Sequence, residues 1–173
     1  MLLNINNKTN ITLCGMMGSG KSAIGKILAN KLNYNFIDVD KKIENVANKT
    51  IKNIFDEDGE VYFRDLEEKI TIDTLKNKEA IVSLGGGAII NKEIRNSIKK
   101  NSYNIYLNVD VNILIKRLQF SKTRPLIHKN NLKKELINLI SKRKKFYQKA
   151  DLIIQNEKKM IETAENIIKK IVN

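Results

Sequence analysis

Short apolar runs alternate along the chain with longer segments in which apolar residues recur every three or four positions. Residues 10–14 (NITLC) form the first run and lead into a glycine-rich loop. In residues 21–32, Ile24, Ile27, Leu28 and Leu32 fall at helical spacing. Further buried strands are predicted at 35–39 (NFIDV), 80–84 (AIVSL), 103–109 and 151–154. Helices are predicted at 41–47, 51–56, 60–75, 91–100, 112–118, 132–148 and 158–172, with Thr50 placed as an N-cap. Strands alternating with helices predict a parallel α/β sheet covered on both faces. Residues 1–9 are polar and Asn-rich and read as a loose tail. Residues 119–131 (QFSKTRPLIHKNN) hold the one proline and two adjacent asparagines, and read as a loop or lid. No internal repeat or second-domain linker interrupts the pattern, so 10–173 is expected to be a single domain.

Composition adds limits. A chain of 173 residues fits one domain with a sizeable core. The one cysteine, Cys14, excludes an internal disulfide, and its apolar neighbours predict a buried core thiol. No stretch approaches the ~18 apolar residues of a membrane span, and no signal-peptide core is visible at the N-terminus. A cytoplasmic protein with no membrane partner is therefore expected. The net charge of +13 raises the question of nucleic acid. The lysines are scattered, however, among abundant Asn and Ile. The basic stretch Lys133, Lys134, Lys142, Lys144, Lys145 and Lys149 reads as a solvated helix face, so no nucleic-acid partner is expected. Only five of the 32 basic residues are arginine: Arg64, Arg95, Arg117, Arg124 and Arg143. Where lysine serves for plain charge, each arginine is a candidate for a planar or bidentate role.

The chemistry begins at Gly15-Met16-Met17-Gly18-Ser19-Gly20-Lys21-Ser22, which matches G-x-x-x-x-G-K-S/T between an apolar strand and a helix. Glycines let backbone N–H groups curl around phosphate, and the helix N-terminus adds partial positive charge. Lys21 is placed to reach the β- and γ-phosphates and the Ser22 hydroxyl to ligate Mg²⁺. No T-K-x-D or N-K-x-D guanine-reading motif is present, which argues against a GTPase and toward a small kinase.

Acceptor chemistry is legible further on. In Asp38-Val39-Asp40 the strand alternation is expected to aim both carboxylates the same way, at the strand end where ligands bind in open α/β sheets. One suits a metal-bound water and the other an acceptor hydroxyl. Glu60, Phe63, Arg64 and Glu67 share one helix face, both apolar and charged, able to border a pocket. Gly85-Gly86-Gly87 follows a buried strand and permits close ligand approach. Taken alone, these residues leave open another small-molecule or nucleotide kinase, and a nucleotide-dependent protein whose basic helix meets nucleic acid.

Their order and spacing resemble the shikimate kinase family over nearly the whole chain. The resemblance is carried by the phosphate loop, D-V-D, I-x-x-I-F (Ile51, Ile54, Phe55), G-E-x-x-F-R-x-x-E (Gly59 to Glu67) and the triple glycine. K-R-L (Lys116 to Leu118), R-P-L (Arg124 to Leu126) and R-x-x-x-Y (Arg143 to Tyr147) complete it. It implies a three-layer α/β/α P-loop kinase fold, a five-stranded parallel sheet in order 2-3-1-4-5 and a mobile lid near 119–131. It also implies a substrate-binding region near 40–75. The implied activity is ATP-dependent phosphorylation of the shikimate 3-hydroxyl, in aromatic amino acid biosynthesis, by a monomer with one Mg²⁺ per site. Asp40 would bind ring hydroxyls and activate the 3-hydroxyl, with Lys21 and the lid residue Arg124 stabilising the transferred phosphoryl. Arg64 and Arg143 would grip the carboxylate, Glu67 would hold Arg64, and Phe63, Gly86 and Gly87 would line the acceptor. ATP would lie on Gly18, Ser19, Gly20, Lys21, Ser22 and Ala23, with Arg117 and Gln155 at the adenine. Asp38 and Ser22 would hold Mg²⁺. Arg95 matches no such position and reads as a surface residue. Leu84 departs from the Thr or Ser that many members have before the triple glycine, so a hydroxyl contact is expected to be missing there.

Overall fold

In the computed structural model, which describes Leu3, 5–119, 132–157 and 159–172, the predicted strands form one parallel sheet. The strands are β1 (Asn10–Cys14), β2 (Asn35–Asp38), β3 (Ala80–Ser83), β4 (Ser102–Asn108) and β5 (Leu152–Gln155). Their order is β2-β3-β1-β4-β5, as the resemblance implied. The helices are α1 (Lys21–Leu32), α2 (Val39–Ala47), α3 (Ile51–Asn53), α4 (Gly59–Thr74), α5 (Lys92–Asn101), α6 (Val111–Leu118), α7 (Leu132–Tyr147) and α8 (Met160–Ile171). Two apolar layers separate them. One holds Val39, Ile43, Ile54, Leu84, Ile94 and Tyr147; the other holds Ile11, Ile24, Leu28, Ile105, Ile167 and Ile171. Central strands buried on both faces read as continuous apolar runs, which is why 10–14 and 80–84 were visible in the sequence.

Three local expectations change. β2 stops at Asp38, and Val39 already begins α2. Asp38 is the N-cap, its Oδ1 accepting from the Lys41 amide at 3.3 Å. Asp38 and Asp40 therefore reach the same place as cap and first-turn residue of a helix, not as alternate residues of a strand. Next, the helix predicted at 51–56 is a single α-turn capped by Thr50, whose Oγ1 accepts from the Asn53 amide at 3.2 Å. It widens into a π-turn at Ile54–Asp58 before Gly59, at φ 85°, starts α4. Finally, the tail is packed in its described part. Ile5 is 3% exposed, Leu3 pairs with Val172, and Lys8 Nζ donates to the last carbonyls of α5, Lys99 O and Lys100 O.

Cys14 is buried as expected, and burial pushes its thiol up to about 12. None of the described helices is long and apolar enough to cross a membrane.

The buried amide of Asn10 ties the start of β1 to the turn before β3. Its Nδ2 donates to Leu75 O at 3.1 Å and to Asn77 O, while its Oδ1 accepts from the Ala80 amide at 3.1 Å. Asn10→Ala removes the partner of three backbone groups, those of Leu75 and Ala80 buried, and is expected to cost about 2–4 kcal/mol in urea denaturation, with the unfolding slope unchanged.

Candidate active site

β1 lies between β3 and β4, and the loop that leaves it wraps the N-terminus of α1. Gly20 caps α1 at φ 89°, where a Cβ would also come within 2.9 Å of Met160 Sδ. Lys21 is folded back, its Nζ donating to Gly15 O at 3.0 Å and Met16 O at 3.1 Å. Four amide-bearing residues, Gly18 to Lys21, thus line a turn at the positive end of a 12-residue helix. Ala23 follows in the first turn of α1.

On the β5 side, one buried asparagine organises this loop. Asn156 Nδ2 donates to Ser19 O at 2.6 Å, its Oδ1 accepts from Thr163 Oγ1 at 2.8 Å, and its amide donates to Asn108 O at 2.8 Å. Arg117 bridges the same elements, donating from Nη1 to Gly18 O at 3.2 Å and from Nη2 to Asn156 O at 3.3 Å. Gln155 is exposed and accepts from Asn108 Nδ2 at 3.0 Å. The bracing role of Asn156 depends on Ser19 and Asn108, distant in the chain, and has no local signature.

On the β2 side, Asp38 pairs in register with Ser83 of β3. Ser22 Oγ donates to Asp38 Oδ2 and lies 3.4 Å from Ser83 Oγ. A carboxylate and two hydroxyls are hard oxygen donors, the set Mg²⁺ takes while keeping several waters. Among the described residues no cluster of three His, Cys, Asp or Glu surrounds a metal position. Leu84, which precedes the triple glycine, is buried in the core.

Beyond these residues opens a cavity of about 370 Å³, within the range of small-molecule sites. Asp40, Arg64, Glu67, Phe63, Phe55, Gly86, Gly87 and Arg143 line it, with Ser22 and Asp38 at one end. Arg64 is held by two carboxylates, at 3.1 Å from Glu60 Oε1 and 2.7 Å from Glu67 Oε2. It also lies 5.1 Å from the Phe63 ring, which packs 4.7 Å from Phe55. Arg143 comes from the buried face of α7, opposite that helix's exposed lysines, and is 4% exposed. Its Nη1 donates to Met16 Sδ at 3.8 Å, and its Nε has no hydrogen-bond partner among the described residues.

The triple glycine makes room for these side chains. A Cβ on Gly85 would sit 2.6 Å from Glu67 Oε1 and 2.8 Å from Asp40 Oδ1. On Gly87 it would sit 2.8 Å from Arg64 Nη1. Within the chain, Gly85 and Gly87 are approached most closely by charged side chains and Gly86 by the Met17 amide nitrogen. Tyr147, stacked on Tyr106 at 4.8 Å, fastens the loop by donating to Gly86 O at 2.6 Å. Arg124 and the rest of 120–131 lie outside the described residues.

A central strand running into a phosphate loop, with an acidic and cationic pocket on the same sheet edge, defines a P-loop phosphotransferase. The family model for shikimate kinase matches residues 17–173. A shikimate kinase of Bartonella quintana (strain Toulouse) is 40% identical over 173 residues, covering 99% of this chain and 82% of that protein. One of Persephonella marina (strain DSM 14350 / EX-H1) is 44% identical over 150 residues, covering 87% of this chain and 90% of that protein. Among solved structures, shikimate kinase from Acinetobacter baumannii in complex with shikimate superposes with a TM-score of 0.91 at 31% identity. It covers 95% of this chain and 93% of that one. The chain belongs to the shikimate kinase family.

Glu67 generates a pH prediction. Burial raises its carboxyl above the ordinary 4.5; the Arg64 guanidinium opposes that shift, and the Asp40 carboxylate adds to it. A carboxyl that holds its proton more tightly folded than unfolded favours folding fully below the unfolded value. That contribution fades as pH rises through the folded value. The stability of the wild type relative to Glu67→Gln should thus fall as pH rises from below 4.5 and then level off. Urea titrations across that range would refute the assignment by showing the wild type gaining on the variant as pH rises.

Proposed function

We propose that the protein transfers the γ-phosphoryl group of ATP to the 3-hydroxyl of shikimate, giving shikimate 3-phosphate and ADP for aromatic amino acid biosynthesis. The observation that carries this reading is Arg143. A guanidinium that is 4% exposed, with Nε unpaired among the described residues, is costly to bury without an anion. It shares a cavity with Arg64, whose planar fork is already oriented by Glu67. Two guanidinium groups on one pocket fit a small carboxylate. The Phe55 and Phe63 rings supply an apolar wall for a carbon ring, and Asp40 supplies an acceptor for hydroxyls.

The mechanism follows from these placements. Arg64 and Arg143 bind the carboxylate and fix the ring. Asp40 accepts hydrogen bonds from its hydroxyls and takes the proton of the 3-hydroxyl as that oxygen bonds to the γ-phosphorus and the bond to the ADP oxygen breaks. The Gly18–Ser22 amides and Lys21 hold the β- and γ-phosphates, with Ala23 continuing the turn. Ser22 and Asp38 would hold one Mg²⁺, which supplies charge neutralisation at the phosphates. Arg117 and Gln155 border the adenine, and Arg124, which lies outside the described residues, would stabilise the transferred phosphoryl group. Catalysis is mainly positioning and electrostatics. The protein acts as a cytoplasmic monomer on these two substrates, with neither nucleic acid nor membrane as partner.

Steady-state kinetics test the residue roles. Lys21→Ala and Asp40→Asn should each lower kcat on the order of a thousandfold. Arg143→Lys should raise KM for shikimate about tenfold and leave KM for ATP near the wild-type value, because a point charge replaces a fork. An Arg143→Lys enzyme with unchanged constants would remove the carboxylate assignment.

A further inference from the structure

Arg95 reads in the sequence as a surface residue, and its surroundings say otherwise. It lies on α5, half-buried, and its Nη1 donates to Ile89 O at 3.0 Å and to Ile90 O at 2.5 Å. These carbonyls end the 3₁₀ turn Ala88–Ile90 that directly follows the triple glycine. On its other side the guanidinium carbon lies 4.3 Å from the centre of the Phe146 ring in the last turn of α7. Lys145 Nζ also approaches that ring, at 5.1 Å. Arg95 therefore joins the glycine turn to α7 by a contact that needs both a planar cation and its N–H donors.

What it joins is the acceptor pocket. Phe146 lies three residues after Arg143 and next to Tyr147, whose hydroxyl holds Gly86 O. A Cβ on Gly86 would lie 3.5 Å from Arg143 Nη1, and one on Gly87 2.8 Å from Arg64 Nη1. The loop is thus the spacer between the two arginines. Tyr147 pins it from the buried side of α7 and Arg95 from the outer side. Among the described residues Arg143 has a weak sulfur contact and no partner for Nε, so its direction depends on how α7 sits against this loop.

We infer that Arg95 is a positioning residue for the acceptor: by clamping the 88–90 turn to Phe146, it sets the spacing of Arg143 and Arg64 across the triple glycine. The inference rests on the carboxylate-binding reading of those two arginines. It makes all five arginines of the chain candidates for roles that lysine does not fill.

The test compares Arg95→Ala, Arg95→Lys, Phe146→Ala and the double variant Arg95→Ala/Phe146→Ala with the wild type and with Arg143→Lys. Thermal unfolding is measured alongside KM for each substrate and kcat. Arg95→Ala is expected to raise KM for shikimate about tenfold and to leave KM for ATP within about twofold. Arg95→Lys should not rescue it, and the double variant should be no worse than Arg95→Ala alone, since both remove one contact. If Arg95→Ala yields too little folded protein, Phe146→Ala and Arg95→Lys carry the same test. Equal losses for ATP and shikimate, full rescue by lysine, or additive effects in the double variant would overturn the inference. Arg143→Lys separates the two levels. If it raises KM for shikimate while Arg95→Ala does not, the clamp fails and the carboxylate reading stands; if Arg143→Lys has no effect, that reading fails first.

Discussion

A parallel sheet delivers the carboxyl end of every strand to one edge, and the rest of this structure depends on which strand holds the centre of that edge. Here it is β1, flanked by β3 and β4. The loop after β1 becomes the proposed phosphate cradle. The ends of β2 and β3 deliver Asp38 and Ser83 to one side of it, in register with each other, and Ser22 reaches both. The segment after β5 delivers Asn156 to the other side, where it braces Ser19 O. The donor and acceptor halves of the site are therefore assembled by strand order before any side chain makes a contact of its own.

Within the acceptor half, charge is placed by removing side chains. Asp40, Glu67, Arg64 and Arg143 converge on three consecutive residues without Cβ atoms, and a methyl at Gly85 or Gly87 would fall within 3 Å of a charged atom. Each carboxylate and guanidinium there limits the others. Arg64 spends its fork on Glu60 and Glu67, while Arg143 Nε has no partner among the described residues. On the proposed reading, an incoming anion would satisfy this buried cation, and the asymmetry would give the pocket its orientation.

Much of this was legible in the sequence because it is local. The phosphate loop is a contiguous motif between an apolar strand and a periodic helix, and the buried strands are unbroken apolar runs. The grouping of Glu60, Phe63, Arg64 and Glu67 on one helix face follows from helical spacing. Asp38 and Asp40 line one cavity, but as cap and first-turn residue of a helix, because a strand that ends in a helix cap mimics the pattern of a longer strand. The π-turn at Ile54–Asp58 carries no distinctive pattern, and the tail looked loose because Ile5 is one apolar residue among polar neighbours. Arg95 and Asn156 were unreadable for a different cause. Arg95 meets two nearby backbone carbonyls, which carry no residue signature, and the distant Phe146 ring, while Asn156 braces Ser19 far along the chain, so nothing in the neighbouring residues marks them.

The central claim is that one edge of the sheet joins ATP to a small carboxylated ring. The most direct measurement is ADP release from Mg·ATP, with shikimate, with gluconate, with nucleoside monophosphates and with no acceptor. The account predicts fast release that depends on shikimate, with stoichiometric shikimate 3-phosphate, and only background rates otherwise. Equal rates with and without shikimate, or preference for another acceptor, would contradict it.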